Sequence, residues 1–355
     1  MNKKILIISK SQFGYFTDYY KFCEYLRTEF DVYYLCFDVG LKKINMKNVK
    51  VKYVSYKGNK IIRGFRFFLK AIITIASFRG IVLISYFEHC HLLRCFFPSK
   101  KMILDIRTLS INKNEKRRKR INDQIRKTAK YFSYVTTLSA GLKRLINLNS
   151  HNCFIIPLGA DIISNNNKRF EKDINLLYVG TFSGRNIQDT IIGLHLFLKR
   201  NSGLNSIGYD IIGYGYGNEN AIFKKIVAEY QLEGIVNLHG RIPICELKSF
   251  FDKCNVGISY VPITDYYEYQ PVTKTYEYIL SGMACIATNT FENRKIINDI
   301  NGVLCDSNPN SFAVALEELI KRFKNYDSEK IRKTAIEYTW ENIVKLHLIP
   351  LLQKV

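Results

Sequence analysis

The sequence predicts an α/β protein built from two doubly wound, Rossmann-like domains. Short apolar runs of strand length alternate with longer amphipathic segments of helical length. This alternation begins at the N-terminus and restarts near residue 175, after a polar run at residues 164–168 that we interpret as a linker. A chain of 355 residues is long enough for two domains with separate cores.

The first domain is predicted over residues 1–165. A buried strand at 4–9, a loop containing Gly14, a helix at 18–30 and a strand at 31–37 form the β-loop-α-β start of a parallel sheet. Further predicted elements are a helix at 59–78 and strands at 81–87, 102–106, 134–139 and 154–161. Ligands of such sheets bind beyond the carboxyl ends of the strands. Gly14 is therefore a candidate for close approach to a phosphate, with an ordinary turn as the alternative.

The second domain is predicted over residues 166–338. Strands at 175–179, 209–212, 236–238, 256–260 and 283–288 alternate with helices. Glycine-bearing loops follow the first two of these strands, at Gly180 and Gly213. The spacing of Gly213, Gly215 and Gly217 is only a weak match to a dinucleotide fingerprint, because it does not follow the first strand of the domain.

The stretch 270–288 carries the strongest chemical signal. It predicts a polar loop, a helix at 275–280, an ending at Gly282 and a buried strand. The unpaired N–H groups at a helix N-terminus favour an anion, and Lys274 adds a positive charge. Glu277 lies one turn further along, where it can accept hydrogen bonds from hydroxyls. The alternative is a helix that only packs on the sheet, with both charged side chains in solvent.

Pro271, Lys274, Glu277 and Gly282, followed by a buried strand, resemble the signature of family 4 retaining glycosyltransferases of the GT-B fold. The resemblance implies two Rossmann-like domains facing a cleft, a nucleotide-diphosphate sugar as donor, and no metal or other cofactor. It also implies that residues 339–355 form a helix crossing back to the first domain. The sequence departs from the family where Glu268 lies one residue before the first motif glutamate.

The same resemblance implies the site residues. Arg185 and Lys274 would neutralise the leaving diphosphate. Asp105 and Arg107 match the Asp-x-Arg element of bacterial surface-polysaccharide transferases, which implies a catalytic role on the acceptor side; an internal ion pair is the alternative. The implied donor-binding residues are Gly14, Gly180, Gly213, Arg241, Ile242, Glu268, Pro271, Val272, Thr273 and Glu277.

Positive charge is concentrated in the first half of the chain. Of the net charge of +22, residues 1–170 contribute +23, from 33 Lys and Arg against 10 Asp and Glu. Two basic blocks stand out, the predicted helix at 59–78 and the segment 113–130. The first predicts either a helix on a membrane surface or a core helix with a basic edge. No nucleic-acid-binding module is recognisable, so nucleic acid is not an expected partner.

The resemblance implies a hexosyltransferase of surface-polysaccharide synthesis, such as lipopolysaccharide or capsule. The expected acceptor is a glycan or a lipid-diphosphate-linked glycan, and the expected location is the cytoplasmic face of an anionic cell membrane. Nine scattered cysteines without a Cys-x-x-Cys pair agree with a reducing compartment. The alternatives are a nucleotide-sugar epimerase of the same fold, a basic nucleic-acid-binding protein, and a transferase-like scaffold without activity.

Overall fold

The computed structural model describes residues 3–147, 152–201 and 206–355. The chain folds into two compact units. The first contains Met1–Leu158 and Trp340–Val355, and the second contains Gly159–Thr339. No helix of the described segments is long and apolar enough to cross a membrane.

Parallel strands and helices alternate along both units. The strands are β1 (Lys3–Ile8), β2 (Phe30–Asp38), β3 (Val49–Ser55), β4 (Ile81–Ser85), β5 (Met102–Ile106), β6 (Tyr134–Thr137), β7 (Cys153–Ile155), β8 (Ile174–Thr181), β9 (Ile207–Tyr214), β10 (Val236–Gly240), β11 (Val256–Ser259), β12 (Ala284–Thr288) and β13 (Gly302–Cys305). The helices are α1 (Thr17–Leu26), α2 (Lys60–Ser77), α3 (His91–Phe96), α4 (Glu115–Ala129), α5 (Ala140–Ile146), α6 (Gln188–Arg200), α7 (Glu219–Glu229), α8 (Leu247–Lys253), α9 (Thr273–Leu280), α10 (Asn293–Ile296), α11 (Pro309–Lys321), α12 (Ser328–Lys333), α13 (Trp340–Ile343) and α14 (Ile349–Lys354).

The first unit contains a seven-stranded sheet in the order β3-β2-β1-β4-β5-β6-β7. The last four residues of its interior strand β1 are apolar and buried, as expected where helices cover both faces of a parallel sheet. The strand order reverses between β1 and β4, which creates a crevice at their carboxyl ends. The C-terminal segment packs on this unit, where the buried Trp340 meets the ring of Phe22 at 6.1 Å between centroids.

The second unit contains a six-stranded sheet in the order β10-β9-β8-β11-β12-β13. It repeats the topology of the first unit, with the reversal between β8 and β11. Because ligands of doubly wound sheets bind at this reversal, a ligand-binding site is expected at the loops after β8 and β11.

Two parts of the structure differ from the sequence prediction. The elements that were not predicted are the strands β3 and β13 and the helices α3, α5, α10, α11 and α12. The run 164–168, interpreted as a linker, is part of the second unit: Ser164 is fully buried and donates to Asp252 Oδ1 at 2.6 Å. Lys168 is buried as well, and its Nζ donates to Ser164 Oγ at 3.0 Å. Residues 165–167 are exposed, as expected of a linker, but the two polar residues at the ends of the run are buried because partners distant in the sequence satisfy them.

Candidate active site

Helix α9 is fixed over the strand reversal of the second unit by three buried contacts. The backbone N–H of Val179 on β8 donates to the Tyr278 hydroxyl at 2.9 Å. Gly257 on β11 leaves room for the same ring, because a Cβ there would lie 2.1 Å from a Tyr278 ring atom. Close to the start of the helix, Thr275 Oγ1 lies 2.7 Å from Ser259 Oγ at the end of β11. The helix therefore begins beside the carboxyl ends of the two central strands.

Both ends of α9 are defined by backbone geometry. Gly282 has φ +74°, and the N–H of Met283 donates to the Tyr278 carbonyl at 3.1 Å while that of Gly282 donates to Ile279 at 2.9 Å. This is a Schellman ending, so the prediction that Gly282 terminates the helix is confirmed. At the other end of the helix Val272 is the N-cap, and its apolar side chain makes no capping hydrogen bond to the first turn. Its N–H groups are thus suited to an anion.

Lys274 and Glu277 form an ion pair on the first turn of α9, between Lys274 Nζ and Glu277 Oε2. The Lys274 side chain is 26% exposed and that of Glu277 is 14% exposed. The pair is therefore partly shielded from solvent but still accessible. A cation and a hydroxyl acceptor lie together at the helix start, as the sequence predicted for a phosphate beside a sugar ring. Their roles in donor binding stay predictions.

Arg185 is brought to the same edge by the loop after β8. Its guanidinium carbon lies 4.7 Å from the ring centroid of Tyr267, which is buried in the loop between β11 and α9. This cation–π contact orients Arg185 without neutralising it. Tyr267 was not singled out from the sequence, because the path of an irregular loop cannot be deduced from residue spacing.

Glu268 occupies a different environment from Glu277. Its Oε1 accepts hydrogen bonds from Arg294 Nη2 at 2.6 Å and from the Phe291 backbone N–H at 3.0 Å. Its Oε2 is buried without a hydrogen-bond partner among the described residues. The next residue, Tyr269, packs on the Phe291 ring at 5.1 Å. Glu268 thus supports the turn after β12, and its predicted role in donor binding stays a prediction.

The remaining predicted donor residues of the second unit lie at the ends of β8, β9 and β10 or at the start of α9. Gly213 has φ +153°, and a Cβ there would lie only 1.8 Å from the Gly180 carbonyl oxygen, so the strand ends approach too closely for any side chain. Arg241 directly follows β10, beside Ile242, and its guanidinium carbon lies 5.1 Å from the Tyr214 ring centroid. Pro271 and Val272 precede α9, and Thr273 is its first residue.

The predicted residues of the first unit are buried within it. Arg107 is 6% exposed; its Nε donates to Asp18 Oδ2 at 2.6 Å and its Nη1 donates to the Ile156 carbonyl at 2.9 Å. Asp105 is fully buried and accepts a hydrogen bond from Thr136 Oγ1 at 2.6 Å. Burial raises the pKa of Asp105, although the Arg107 charge opposes this shift. Arg107 thus forms an internal ion pair, but its partner is Asp18 and not Asp105, as the alternative had supposed.

Gly14 lies in the loop after β1 with φ +91°, where a Cβ would come within 2.3 Å of Ile44 Cδ1. A glycine is therefore required by the turn itself. Its predicted contact with a phosphate stays a prediction, as do the catalytic roles of Asp105 and Arg107.

Solved structures with the same architecture span essentially the whole chain. Sucrose-phosphate synthase from Thermosynechococcus elongatus has a TM-score of 0.75 at 15% identity, with 99% of each chain covered. The lipopolysaccharide outer core galactosyltransferase WaaB has a TM-score of 0.72 at 15% identity, covering 99% of this chain and 100% of its own. Anabaena HepE, solved in complex with UDP and glucose, has a TM-score of 0.75 at 11% identity, with 100% of each chain covered.

At these identities the likeness concerns the fold, and it confirms the predicted GT-B class of two Rossmann-like units. No curated protein sequence matches the chain. The family model described as glycosyl transferases group 1 matches residues 160–338, which is half of the chain and includes α9, Arg185 and Glu268. The chain belongs to the group 1 glycosyltransferases and has the GT-B fold.

Proposed function

We propose that this glycosyltransferase is a family 4 enzyme that transfers a hexosyl group, with retention of configuration, from a nucleotide-diphosphate sugar. The observation that carries the proposal is the convergence of Lys274, Arg185 and the first turn of α9 at the strand reversal of the second unit. Arg185 and the helix start provide positive potential at this edge, and Lys274 adds a charge that Glu277 partly offsets, which together suit a diphosphate. The complex of HepE with UDP and glucose gives a ligand of this class on the same fold.

The proposed roles of these groups follow from where negative charge develops on the donor during the reaction. When the bond between the sugar carbon and the diphosphate oxygen breaks, negative charge accumulates on the phosphate oxygens. Arg185, Lys274 and the backbone N–H groups would stabilise that charge, and preorganised groups of this kind usually contribute more to catalysis than any other effect. Positive charge then comes from the protein, so the proposed reaction requires neither a metal nor another cofactor.

The nucleoside would be held by groups on both sides of the diphosphate. Glu277 would accept hydrogen bonds from the ribose hydroxyls, while the backbone at Arg241 and Ile242 would contact the base. Gly180 and Gly213 would allow the donor to approach the strand ends closely. These roles follow the family resemblance, and the position of each residue at the carboxyl edge of the sheet supports them.

The acceptor would bind the basic first unit. The excess of 23 positive charges in residues 1–170 favours an anionic acceptor, such as a lipid-diphosphate-linked glycan, and an anionic membrane surface. The proposed reaction therefore belongs to surface-polysaccharide synthesis at the cytoplasmic face of the cell membrane. The fold shared with a lipopolysaccharide galactosyltransferase supports this class of product.

Thermal unfolding with a panel of UDP-, GDP-, ADP- and CMP-sugars tests the donor site. A ligand that binds only the folded state must raise the melting temperature. We expect one nucleotide to raise it by several degrees, and Glu277→Ala and Lys274→Ala to abolish that rise. Lys225→Ala is a matched control, because Lys225 is exposed on α7.

The outcomes separate the candidate functions. If no nucleotide sugar stabilises the wild type, or if the two variants respond like Lys225→Ala, the donor site is not the one described. Product analysis then distinguishes transfer from epimerisation, because an epimerase converts the donor when no acceptor is present. Activity that disappears after treatment with EDTA and returns with a divalent metal would contradict the metal-independent chemistry.

A further inference from the structure

An apolar patch is exposed on the surface of the first unit. We call it the α2–α3 patch, and its members are Ile61, Phe65, Leu69 and Ile73 of α2 with Leu92 and Phe96 of α3. Ile61 is 81% exposed, Phe65 68% and Phe96 60%. The four α2 residues recur every fourth position and so share one side of the helix. The Phe68 ring, 6.3 Å from that of Phe96, joins the two helices.

The opposite side of α2 is a core face. Phe67, Ala71, Thr74 and Ile75 are at most 5% exposed and hold the helix on the sheet. The interpretation of α2 as a core helix therefore holds for this face, and the membrane interpretation concerns the exposed face. Soluble proteins rarely expose a contiguous apolar patch of this kind without a partner that covers it.

The charges around the patch indicate which partner fits. Residues 57–79 contain six Lys or Arg and no Asp or Glu. Lys60 and Lys70 are exposed, while Arg66 donates to the Ser55 and Lys57 carbonyls at 3.1 and 2.9 Å. An apolar helix face flanked by cations matches a lipid surface with anionic headgroups, where apolar side chains enter the acyl boundary and cations bind phosphates.

We propose that the α2–α3 patch inserts into an anionic lipid bilayer and that α2 lies in the plane of the surface. The inference rests on the proposed membrane association and names the surface that performs it, but it does not depend on donor binding. The other basic helix, α4, differs because its buried residues face the core and its exposed residues are mainly charged. Contacts through α4 would be electrostatic and lost in high salt, whereas insertion of the patch would persist.

Co-sedimentation with vesicles tests the proposal. The full-length protein is mixed with phosphatidylglycerol–phosphatidylcholine vesicles in low and in high salt. We expect the double variant Ile61→Ser/Phe65→Ser to lower the partition coefficient at least about tenfold in high salt. The control Ile222→Ser/Val314→Ser changes two exposed apolar residues of the second unit, 47% and 52% exposed, and we expect it to bind like the wild type.

A tryptophan reporter tests insertion directly. The sequence has one tryptophan, Trp340, which is 2% exposed and provides a constant background. We expect the emission of Phe65→Trp to shift to shorter wavelength on vesicles and to be quenched by brominated lipids, whereas Ile222→Trp shows neither change.

Three outcomes would overturn the proposal. In the first, the patch variant and its control partition equally. In the second, vesicle binding disappears in high salt and the emission of the Phe65→Trp variant never shifts. In the third, the wild type is a dimer without affinity for vesicles and the patch variant is a monomer, which would make the patch an interface between copies. The nucleotide-sugar melting shift, measured on the same samples, shows independently whether the donor site works.

Discussion

The two units share a strand order, yet an arginine near the carboxyl edge of each sheet has different surroundings. In the first unit Arg107 directly follows β5, is 6% exposed, and pairs with Asp18 and with two backbone carbonyls. In the second unit Arg185 follows β8, is half-buried, and rests on the Tyr267 ring. Among the described residues Arg185 has no carboxylate partner within ion-pair distance.

This difference separates a structural cation from one available to a ligand. A charge buried as deeply as Arg107 must be neutralised within the protein, and once its donors are used it has little to offer a phosphate. A cation held by an aromatic face keeps its N–H groups free for a ligand. The place of an arginine in a shared strand order therefore does not assign its role. The role depends on which partners the side chain has.

The largest effect is expected from breaking the buried pair in the first unit. Arg107→Met keeps an unbranched apolar stem but removes the guanidinium, which leaves Asp18, 13% exposed, without its counter-ion. We expect the free energy of unfolding to fall by about 3–5 kcal/mol. Urea denaturation followed by circular dichroism measures this change. Arg117→Met on the exposed face of α4 is the control and should change it little.

A stable but inactive Arg107→Met variant would contradict the structural role of Arg107. If Arg107→Met unfolds at the wild-type urea concentration but has lost turnover, then Arg107 acts in the reaction, as the family resemblance implies.

The fold could be predicted because its signals are local. The alternation of strands and helices follows from hydrophobic periodicity, and Gly282 had to end α9 because few other residues adopt its backbone conformation. The partner of Arg107 could not be predicted, since Asp18 is 89 positions away in the sequence. The run 164–168 was misinterpreted for the same reason: residues distant in sequence satisfy its polar atoms, including the Phe251 carbonyl that accepts from Lys168.

In the candidate site, too, contacts between residues distant in the sequence could not be predicted. Residue types and spacing placed Lys274 and Glu277 on one turn of a helix and Arg185 in the loop after a strand. The contact between Arg185 and Tyr267 depends on the path of the loop after β11, which has no periodic pattern. The environment of Glu268 likewise depends on Arg294, a residue of α10 that the sequence alone did not connect to it.

The second prediction concerns Arg185, the half-buried cation of the second unit. Arg185→Ala should lower kcat about 100- to 1000-fold, because it removes one group that stabilises charge on the leaving diphosphate. The loss of its contact with Tyr267 should cost no more than about 1 kcal/mol of folding stability. Steady-state kinetics and urea denaturation of the same sample check both values. Lys199→Ala, at an exposed position of α6, is the control. A loss of turnover that only matches a loss of folded protein would assign Arg185 a structural role.

The smallest effect is expected from the buried carboxyl next to Arg107. Burial raises the pKa of Asp105 above its ordinary value of 3.8. Below that value the side chain is neutral in both the folded and the unfolded state. As the pH rises above it, the unfolded chain releases the proton first, so the contribution of Asp105 to stability falls until the folded protein also ionises.

Asp105→Asn cannot ionise and should not show this loss. We therefore expect the variant to gain stability relative to the wild type as the pH is raised from about 4 to about 7, in urea denaturation at each pH. Asp123→Asn, on the exposed face of α4, controls for the removal of one negative charge. Parallel pH profiles for the wild type and Asp105→Asn would mean that Arg107 and Thr136 compensate fully for the burial of the carboxylate. In that case the buried charges of the first unit would be fully stabilised by their neighbours, and burial alone would not distinguish them from the more accessible Arg185 of the second unit.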